Sequence, residues 1–131
     1  MLKRLEAPVQ DFRKLQVWQK AHSLTLEVFA VSATFARPPY FPLQNQTIRA
    51  AISIPANLAE GAGRTGDREF RRFVRIALGS VNELEYHVLL ARDLGLIPVH
   101  THDRLAASAA EVRRMLCGLT ATLTKQLGAE G

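Results

Sequence analysis

Four arginines near the middle of the chain have a spacing that suits phosphate binding. Arg68, Arg71, Arg72 and Arg75 follow the i, i+3, i+4, i+7 pattern of one helix face. At about 100° per residue their side chains cover an arc of roughly 100°. Guanidinium groups make forked contacts with phosphate oxygens, and each phosphate contact also releases counterions from a nucleic acid. The pattern therefore predicts a nucleic-acid-binding helix face, to which Arg64 in the preceding turn can add. A solvated helix face without a ligand is the alternative.

The overall charge supports a polyanionic partner. The 131 residues carry a formal net charge of +5, and the sequence pI is about 10.0. Arginine supplies thirteen of the seventeen basic side chains, a bias that suits forked contacts to phosphate better than lysine would. Random surface charge is the alternative. No helix-turn-helix, zinc-finger or RNA-recognition motif is present, so reading of specific bases has no support. RNA and DNA both remain candidate ligands.

Residues that could support catalysis or bind a metal are few. Glu83 and His87 share a helix face, but the di-iron pattern requires Glu-x-x-His on two helices. His100 and His102 lack cysteine or carboxylate partners at zinc-site spacing. Phosphate-loop, G-x-S-x-G and cysteine-nucleophile motifs are also missing. We therefore expect no enzyme activity, no cofactor and no metal, and a core site at Glu83 and His87 is the weakest alternative.

The cellular setting follows from composition. Cys117 is the only cysteine, so no internal disulfide can form and a reducing compartment is expected. Its apolar neighbours predict a small core side chain. Neither a signal peptide nor an apolar run of about 20 residues is seen. The sequence therefore predicts a cytoplasmic protein that does not interact with membranes.

Four apolar stripes, with spacings of three and four residues, predict four helices. The first comprises Val17, Ala21, Leu24, Val28, Val31 and Phe35, broadened by Trp18, Leu26 and Phe29. The second, over about residues 43–62, comprises Ile48, Ala51, Ile52, Pro55, Ala59 and Ala62. The third comprises Phe70, Val74, Ala77, Val81, Leu84, Val88 and Ala91, and the fourth Leu105, Ala109, Val112, Leu116, Leu119, Leu123 and Leu127. Short connections between long amphipathic helices predict an all-α, up-down antiparallel four-helix bundle.

Helix ends and domain limits are predicted from caps and breakers. Asp67 and Thr101 are the expected N-caps of the third and fourth helices. Pro55 removes a backbone donor and crowds the carbonyl of Ala51, so a kink or a widened turn is expected there. Residues 1–13 are assigned to an N-terminal arm, 14–127 to the bundle and 128–131 to a tail.

The outer side of the third helix becomes apolar beyond the arginines. Apolar groups opposite a helix's own core indicate a subunit interface, and a mid-helix glycine often lets another backbone come close. The predicted interface residues are Leu78, Gly79, Asn82, Tyr86 and Leu90. An exposed tyrosine and leucine without a partner are the alternative.

Several segments together resemble a known family. They are Leu15-Gln16-Val17-Trp18-Gln19-Lys20-Ala21, Ser53-Ile54-Pro55-Ala56-Asn57-Leu58-Ala59-Glu60-Gly61, Glu69-Phe70, Gly79-Ser80 and Glu83-Leu84-Glu85. Their order and intervals, over about residues 15–97, resemble the bacterial four-helix bundle proteins, some of which are encoded within intervening sequences of 23S ribosomal RNA genes. The resemblance implies a left-handed bundle that assembles as a ring-shaped homopentamer. Related accessory proteins of diversity-generating retroelements bind nucleic acid through a basic surface.

The resemblance also bears on the polar residues. The side chains of Ser53, Asn57 and Glu60 form an ordinary wet face on physical grounds alone, together with Arg49. The resemblance instead implies structural or interface roles, without catalysis, for Ser53, Asn57, Glu60, Ser80, Glu83 and Glu85. The sequence thus predicts a non-enzymatic homo-oligomer that binds RNA or DNA through Arg64, Arg68, Arg71, Arg72 and Arg75. In the alternative, a protein-interaction scaffold, these arginines serve assembly or bind an acidic protein partner.

Overall fold

Four helices pack as an up-down antiparallel bundle. The structure, a computed structural model, describes residues 10–130, with side chains as far as Gly128. The helices are α1 (Gln16–Ser32), α2 (Phe41–Ala62), α3 (Asp67–Asp93) and α4 (Val99–Glu130), with 3-10 turns at Phe12–Lys14 and Ala33–Phe35. Each helix packs on its neighbours in sequence and α1 packs on α4, whereas α1 and α3 are diagonally opposed. No strand forms within residues 10–130, so the predicted all-α fold is confirmed.

The predicted stripes of three helices form the core. All seven positions in α3 are buried, and in α1 and α4 every stripe position is buried except Val31, Leu119 and Leu127, which are half-buried. The broadening of the α1 stripe was wrong at two positions, because Leu26 is 59% exposed and Phe29 is 45% exposed. Hydrophobicity alone does not locate the edge of a stripe, since about half of a folded protein's surface is apolar.

The predicted stripe of α2 was right at Ala51, Pro55 and Ala62, which are buried, but wrong on its other side. Ile54 and Leu58 are fully buried, whereas Ile52 is 43% exposed and Ile48 and Ala59 are only half-buried. This helix has apolar residues around most of its circumference, so periodicity leaves its orientation ambiguous. Its packing against α3 decides the orientation.

Helix α2 continues through Pro55, which is buried. Proline has no N–H, so it cannot donate the usual intrahelical hydrogen bond to the carbonyl of Ala51. Thr25 of α1 takes over this role, because its Oγ1 lies 3.1 Å from the Ala51 oxygen and 2.8 Å from the Ala21 oxygen. Its single proton is shared between two buried carbonyls, one on each helix. The proline in α2 is thus matched by a hydroxyl on α1.

Both predicted N-caps were misplaced. Helix α3 begins at Asp67 itself, and the cap position is Gly66, whose φ of 89° is a conformation that glycine adopts readily. Helix α4 begins at Val99, so Thr101 lies in its first turn, and the amides of Thr101 and His102 bond to the Pro98 carbonyl. Proline next to a helix start supplies a suitable fixed φ.

The chain ends and the cysteine also differ from expectation. Within the predicted arm, residues 1–9 lie outside the described residues, but the Gln10 amide donates to the Ala62 carbonyl at 3.2 Å and Phe12 packs against the core. Helix α4 extends beyond position 127 to Glu130. Cys117 was expected in the core but is exposed, because the core side of this turn is occupied by Leu116.

Replacing the shared hydroxyl tests how α1 stabilises the interrupted helix. We expect Thr25→Val to lower the free energy of unfolding by about 1–3 kcal/mol, since the buried Ala51 carbonyl loses its donor. In a Pro55→Ala background the loss should be smaller, because the amide restored at position 55 can donate to Ala51. Urea unfolding of the two single variants and the double variant measures this coupling. An equal loss in both backgrounds would mean that Thr25 serves only Ala21.

Candidate nucleic-acid interface

The first half of α3 places the arginines on the side opposite its buried stripe. Arg68, Arg72 and Arg75 are exposed, and Arg71 is half-buried at the edge that faces α4. Together with Glu69 and Ile76 they line a shallow depression on the outer surface. The predicted helix face therefore exists as one continuous surface. Its arginines differ, however, in what they contact.

Two of the five predicted arginines are neutralised by carboxylates. Arg72 donates from Nε and Nη2 to the two oxygens of Glu69 at 3.1 and 3.2 Å. Arg64 donates from Nε and Nη2 to Oε2 of Glu60 at 3.1 and 2.7 Å. The guanidinium carbons of Arg72 and Arg64 also lie 4.4 and 5.3 Å from the centre of the Phe73 ring, within cation–π distance. Arg64 therefore links the end of α2 to Phe73 of α3, whereas the contacts of Arg72 lie within the first turns of α3.

The Arg72–Glu69 pair has a defined pH dependence. The hydrogen bond from Arg72 lowers the pKa of Glu69, and the same bond raises the pKa of Arg72. A carboxylate with a lowered folded-state pKa contributes stability above its unfolded pKa and loses it as the pH falls through the folded value. The pair thus remains ionised at neutral pH and well into mildly acidic solution. Arg72 therefore has a carboxylate partner under these conditions.

The other three arginines keep their charge available. The side chains of Arg68 and Arg75 form no hydrogen bond or ion pair within the described part of the chain. Arg71 donates from Nη1 to the Thr124 hydroxyl of α4 at 3.1 Å, and a neutral acceptor does not cancel its charge. The uncompensated charge of the face therefore belongs to Arg68, Arg71 and Arg75.

Sequence reasoning treated the five arginines as equivalent. The spacings of Glu60 to Arg64 and of Glu69 to Arg72 are i, i+4 and i, i+3, which are the spacings of helical ion pairs. That local signal predicts both pairs, but it also predicts an ion pair between Asp67 and Arg71, which the structure does not show. No local signal reveals the contact between Arg71 and Thr124, which are 53 positions apart.

A close approach of α2 to α3 positions this surface. A Cβ atom added to Gly61 would lie 2.7 Å from the Phe73 Cβ and 3.0 Å from Cδ1 of Phe70. Contacts this short are not tolerated, so glycine is required where the two helices meet. Phe73 is held here with Arg64 and Arg72 against its ring. The glycine that ends the family-like segment therefore determines how the α3 arginines sit relative to α2.

Three of the six predicted polar residues meet between α2 and α3. The hydroxyls of Ser53 and Ser80 are 2.8 Å apart, and Asn57 Nδ2 donates to the Ser53 carbonyl at 2.7 Å and to its hydroxyl at 3.0 Å. Ser53, Asn57 and Gly61 recur every four residues, so they form one edge of α2 along α3. The residues of this edge have small side chains, and their polar atoms are hydrogen-bonded.

The remaining polar residues lie apart from this cluster. Glu60 pairs with Arg64 at 2.7 Å, and Glu85 pairs with Arg113 of α4 at 3.1 Å. The pairing with Glu85 raises the pKa of Arg113. Glu83 lies 3.6 Å from His87 on the same helix. These contacts link neighbouring positions or helices and do not converge on one site.

The predicted interface residues are partly exposed. Gly79, Asn82 and Tyr86 lie on the outer surface of α3, where Tyr86 is 58% exposed. Leu90 is half-buried, and Leu78 packs against the core of its own bundle. A Cβ atom added to Gly79 would meet nothing within 4 Å. Packing within this chain therefore does not explain the glycine.

Other kinds of site find little support in the described residues. Within residues 10–130, no group of three or more histidine, cysteine, aspartate or glutamate residues is placed to hold a metal ion. His102 Nδ1 contacts the Asp103 carboxylate at 2.9 Å, while His100 is exposed. In the same part of the chain, no helix is both long and apolar enough to cross a membrane.

Comparison with known proteins identifies relatives of the chain. Residues 13–118 match the sequence model of a family described as 23S rRNA-intervening sequence protein. A crystal structure of a protein of unknown function, from the S23 ribosomal protein family of Bacteroides thetaiotaomicron, superimposes with a TM-score of 0.75 at 21% sequence identity. The match covers 79% of this chain and 97% of the other. It establishes a shared fold. No curated protein matches the sequence.

The two contrasting glycines provide a test of the close helix contact. We expect Gly61→Ala to lower the free energy of unfolding by about 1–3 kcal/mol, because the Phe73 Cβ can move only if the helix moves. Gly79→Ala is the matched control and should raise it by up to about 1 kcal/mol, because alanine favours an exposed helix interior. Urea unfolding at low protein concentration measures both. Similar effects of the two changes would contradict a special requirement at Gly61.

Proposed function

Since the chain belongs to the 23S rRNA-intervening sequence protein family, we propose that it is a non-enzymatic, homo-oligomeric bundle that binds nucleic acid with little sequence specificity. The preferred ligand is RNA, and the proposed assembly is a pentamer. The observation that carries the proposal is the set of uncompensated guanidinium groups of Arg68, Arg71 and Arg75 on one face of α3.

The charge distribution supports phosphate binding. The three arginines lie within two turns of α3, so they extend over about 10 Å at a rise of 1.5 Å per residue. Like charges this close repel one another, and a polyanion that spans them relieves that repulsion. Each phosphate contact also releases counterions, which drives binding at low salt. A surface of this kind recognises the backbone and leaves the bases unread.

Self-association would increase the affinity for nucleic acid, because each subunit contributes one arginine face. A ring of subunits presents one arginine face per subunit to the same strand, which increases the overall affinity without any new contact. The exposed residues Gly79 and Tyr86 support α3 as part of the subunit interface. They follow the arginines along the same outer side of the helix. Binding and assembly would therefore use successive segments of one helix.

The second candidate function is a protein-interaction scaffold. Arg64 and Arg72 already make forked contacts with carboxylates of this chain, which shows that the local geometry accommodates acidic side chains. Arg68 and Arg75 can make the same contact with an acidic protein partner. The two functions differ in whether an intact oligomer binds nucleic acid with a steep salt dependence.

Removing the free charges tests nucleic-acid binding. We expect the double change Arg68→Gln and Arg75→Gln to weaken binding of a fluorescent single-stranded RNA. The magnitude of the slope of log K against log salt should fall by about 1.4, since each lost contact to a single strand removes about 0.7. Fluorescence anisotropy over a salt series, with light scattering on the same samples, gives both affinity and assembly state.

A matched control has the same loss of net charge elsewhere. The double change Arg37→Gln and Arg49→Gln removes two exposed arginines, one from the α1–α2 connection and one from α2. It should leave the salt slope unchanged. If both double variants lose affinity equally, the α3 face has no special role. If the intact wild-type oligomer fails to bind RNA, the scaffold function becomes the leading interpretation.

Assembly through α3 is tested by a charge on its outer side. We expect Tyr86→Asp to shift the mass measured by light scattering toward the monomer, because an unpaired carboxylate cannot be buried in an interface at low cost. The helical circular dichroism signal should remain. Val99→Asp is the control, since Val99 is 63% exposed at the start of α4 and should keep the wild-type mass. An unchanged mass for Tyr86→Asp would exclude this side of α3 as the interface.

A further inference from the structure

We infer that the phosphate-binding surface extends from α3 onto α4, where Thr124 orients Arg71 and Lys125 supplies an additional phosphate contact. This inference rests on the proposed nucleic-acid binding. The spacing of the arginines predicts a binding surface on α3 only, and the inference adds Thr124 and Lys125 of α4 to that surface. It also restricts the ligand to a polyanion that reaches across two helices.

Arg71 is distinguished by a contact that orders it without neutralising it. It lies at the α3 edge facing α4, where one of its five N–H donors bonds to the Thr124 hydroxyl at 3.1 Å. The other four N–H donors form no hydrogen bond with described residues. A hydroxyl acceptor leaves the full positive charge in place, unlike the carboxylates that bind Arg64 and Arg72. Arg71 is therefore a preorganised cation, and preorganisation lowers the entropic cost of binding.

The neighbouring part of α4 suits a negatively charged ligand. Lys125 directly follows Thr124, is exposed, and makes no ion pair with any described residue. Residues 112–129 contain no carboxylate but include Arg113, Arg114 and Lys125. Lys125 is next in sequence to Thr124, whose hydroxyl contacts Arg71 of the adjacent helix at 3.1 Å. Both helices therefore carry a cation without a carboxylate partner close to the Arg71–Thr124 contact.

This arrangement selects for repeated phosphates. Arg68 and Arg75 lie along α3, while Arg71 and Lys125 lie across the α3–α4 junction. A single phosphate or one acidic side chain can reach only part of this set. A nucleic-acid backbone carries a phosphate at every nucleotide and can contact cations on both helices. Inorganic phosphate should therefore compete poorly with RNA at matched ionic strength.

The experiment separates orientation of Arg71 from charge. Thr124→Val removes the hydroxyl without changing the net charge, so affinity for fluorescent single-stranded RNA should fall several-fold while the salt slope stays constant. Thr124→Ser keeps the hydroxyl and should restore affinity. Lys125→Gln removes a contact, so the magnitude of the salt slope should fall by about 0.7. Matched controls are Thr122→Val and Lys14→Gln, which change exposed side chains that form no hydrogen bond or ion pair with described residues. Both should behave as wild type.

The possible outcomes separate this inference from the function on which it rests. Unchanged affinity for Thr124→Val, an equal loss for Thr122→Val, or an unchanged slope for Lys125→Gln overturns the extension onto α4 while RNA binding itself stands. Absence of RNA binding by the wild-type protein overturns both. Thermal unfolding of each variant is measured as well, because a lysine in the last turns also stabilises a helix through its dipole. A lower melting temperature with unchanged binding would assign Lys125 to that structural role and overturn its phosphate contact.

Discussion

The close contact between α2 and α3 at Gly61 is the constraint on which much of the structure depends. Because Gly61 has no side chain, Phe73 can pack directly against the α2 backbone; a Cβ atom at position 61 would lie only 2.7 Å from the Phe73 Cβ. The same edge of α2 presents Ser53 and Asn57 to Ser80, so polar groups in a tight contact satisfy one another. Small residues bring the helices together, and the resulting proximity requires that their polar atoms be paired.

That contact also determines which charges are free. The guanidinium groups of Arg64 and Arg72 both lie within cation–π distance of the Phe73 ring, and each is paired with a carboxylate three or four residues away. Glu60 and Arg64 lie at the junction of α2 and α3, whereas Glu69 and Arg72 pair with each other within the first turns of α3. The arginines without a carboxylate partner, Arg68, Arg71 and Arg75, lie on the outer side of α3, and Arg71 lies at its edge facing α4. Within this arginine-rich segment, Arg64 and Arg72 are therefore paired with carboxylates, and the other arginines form the basic surface.

Pro55 in α2 leaves the Ala51 carbonyl without its usual intrahelical donor. A buried carbonyl without a donor would be costly, and the Thr25 hydroxyl of α1 reaches the Ala51 oxygen to prevent this. The solution links α1 to α2 at mid-height, on the opposite side of α2 from the Ser53–Ser80 contact. Helix α2 is therefore held by a side-chain hydrogen bond on each of its two flanks. Its orientation follows from these contacts more than from its hydrophobic pattern.

The sequence by itself determined the four helices, their antiparallel order and the buried stripes of α1, α3 and α4, because a regular apolar period has only one helical interpretation. It also located the arginine face, since residues three and four apart share a side of any helix. It misjudged α2, where apolar residues surround the helix, and it misplaced Cys117 and both caps. Only the tertiary structure decided the orientation of α2, the pairing of Thr25 with Ala51 and the contact of Arg71 with Thr124. These depend on which residues meet across helices, and local spacing contains no information about partners distant in the chain.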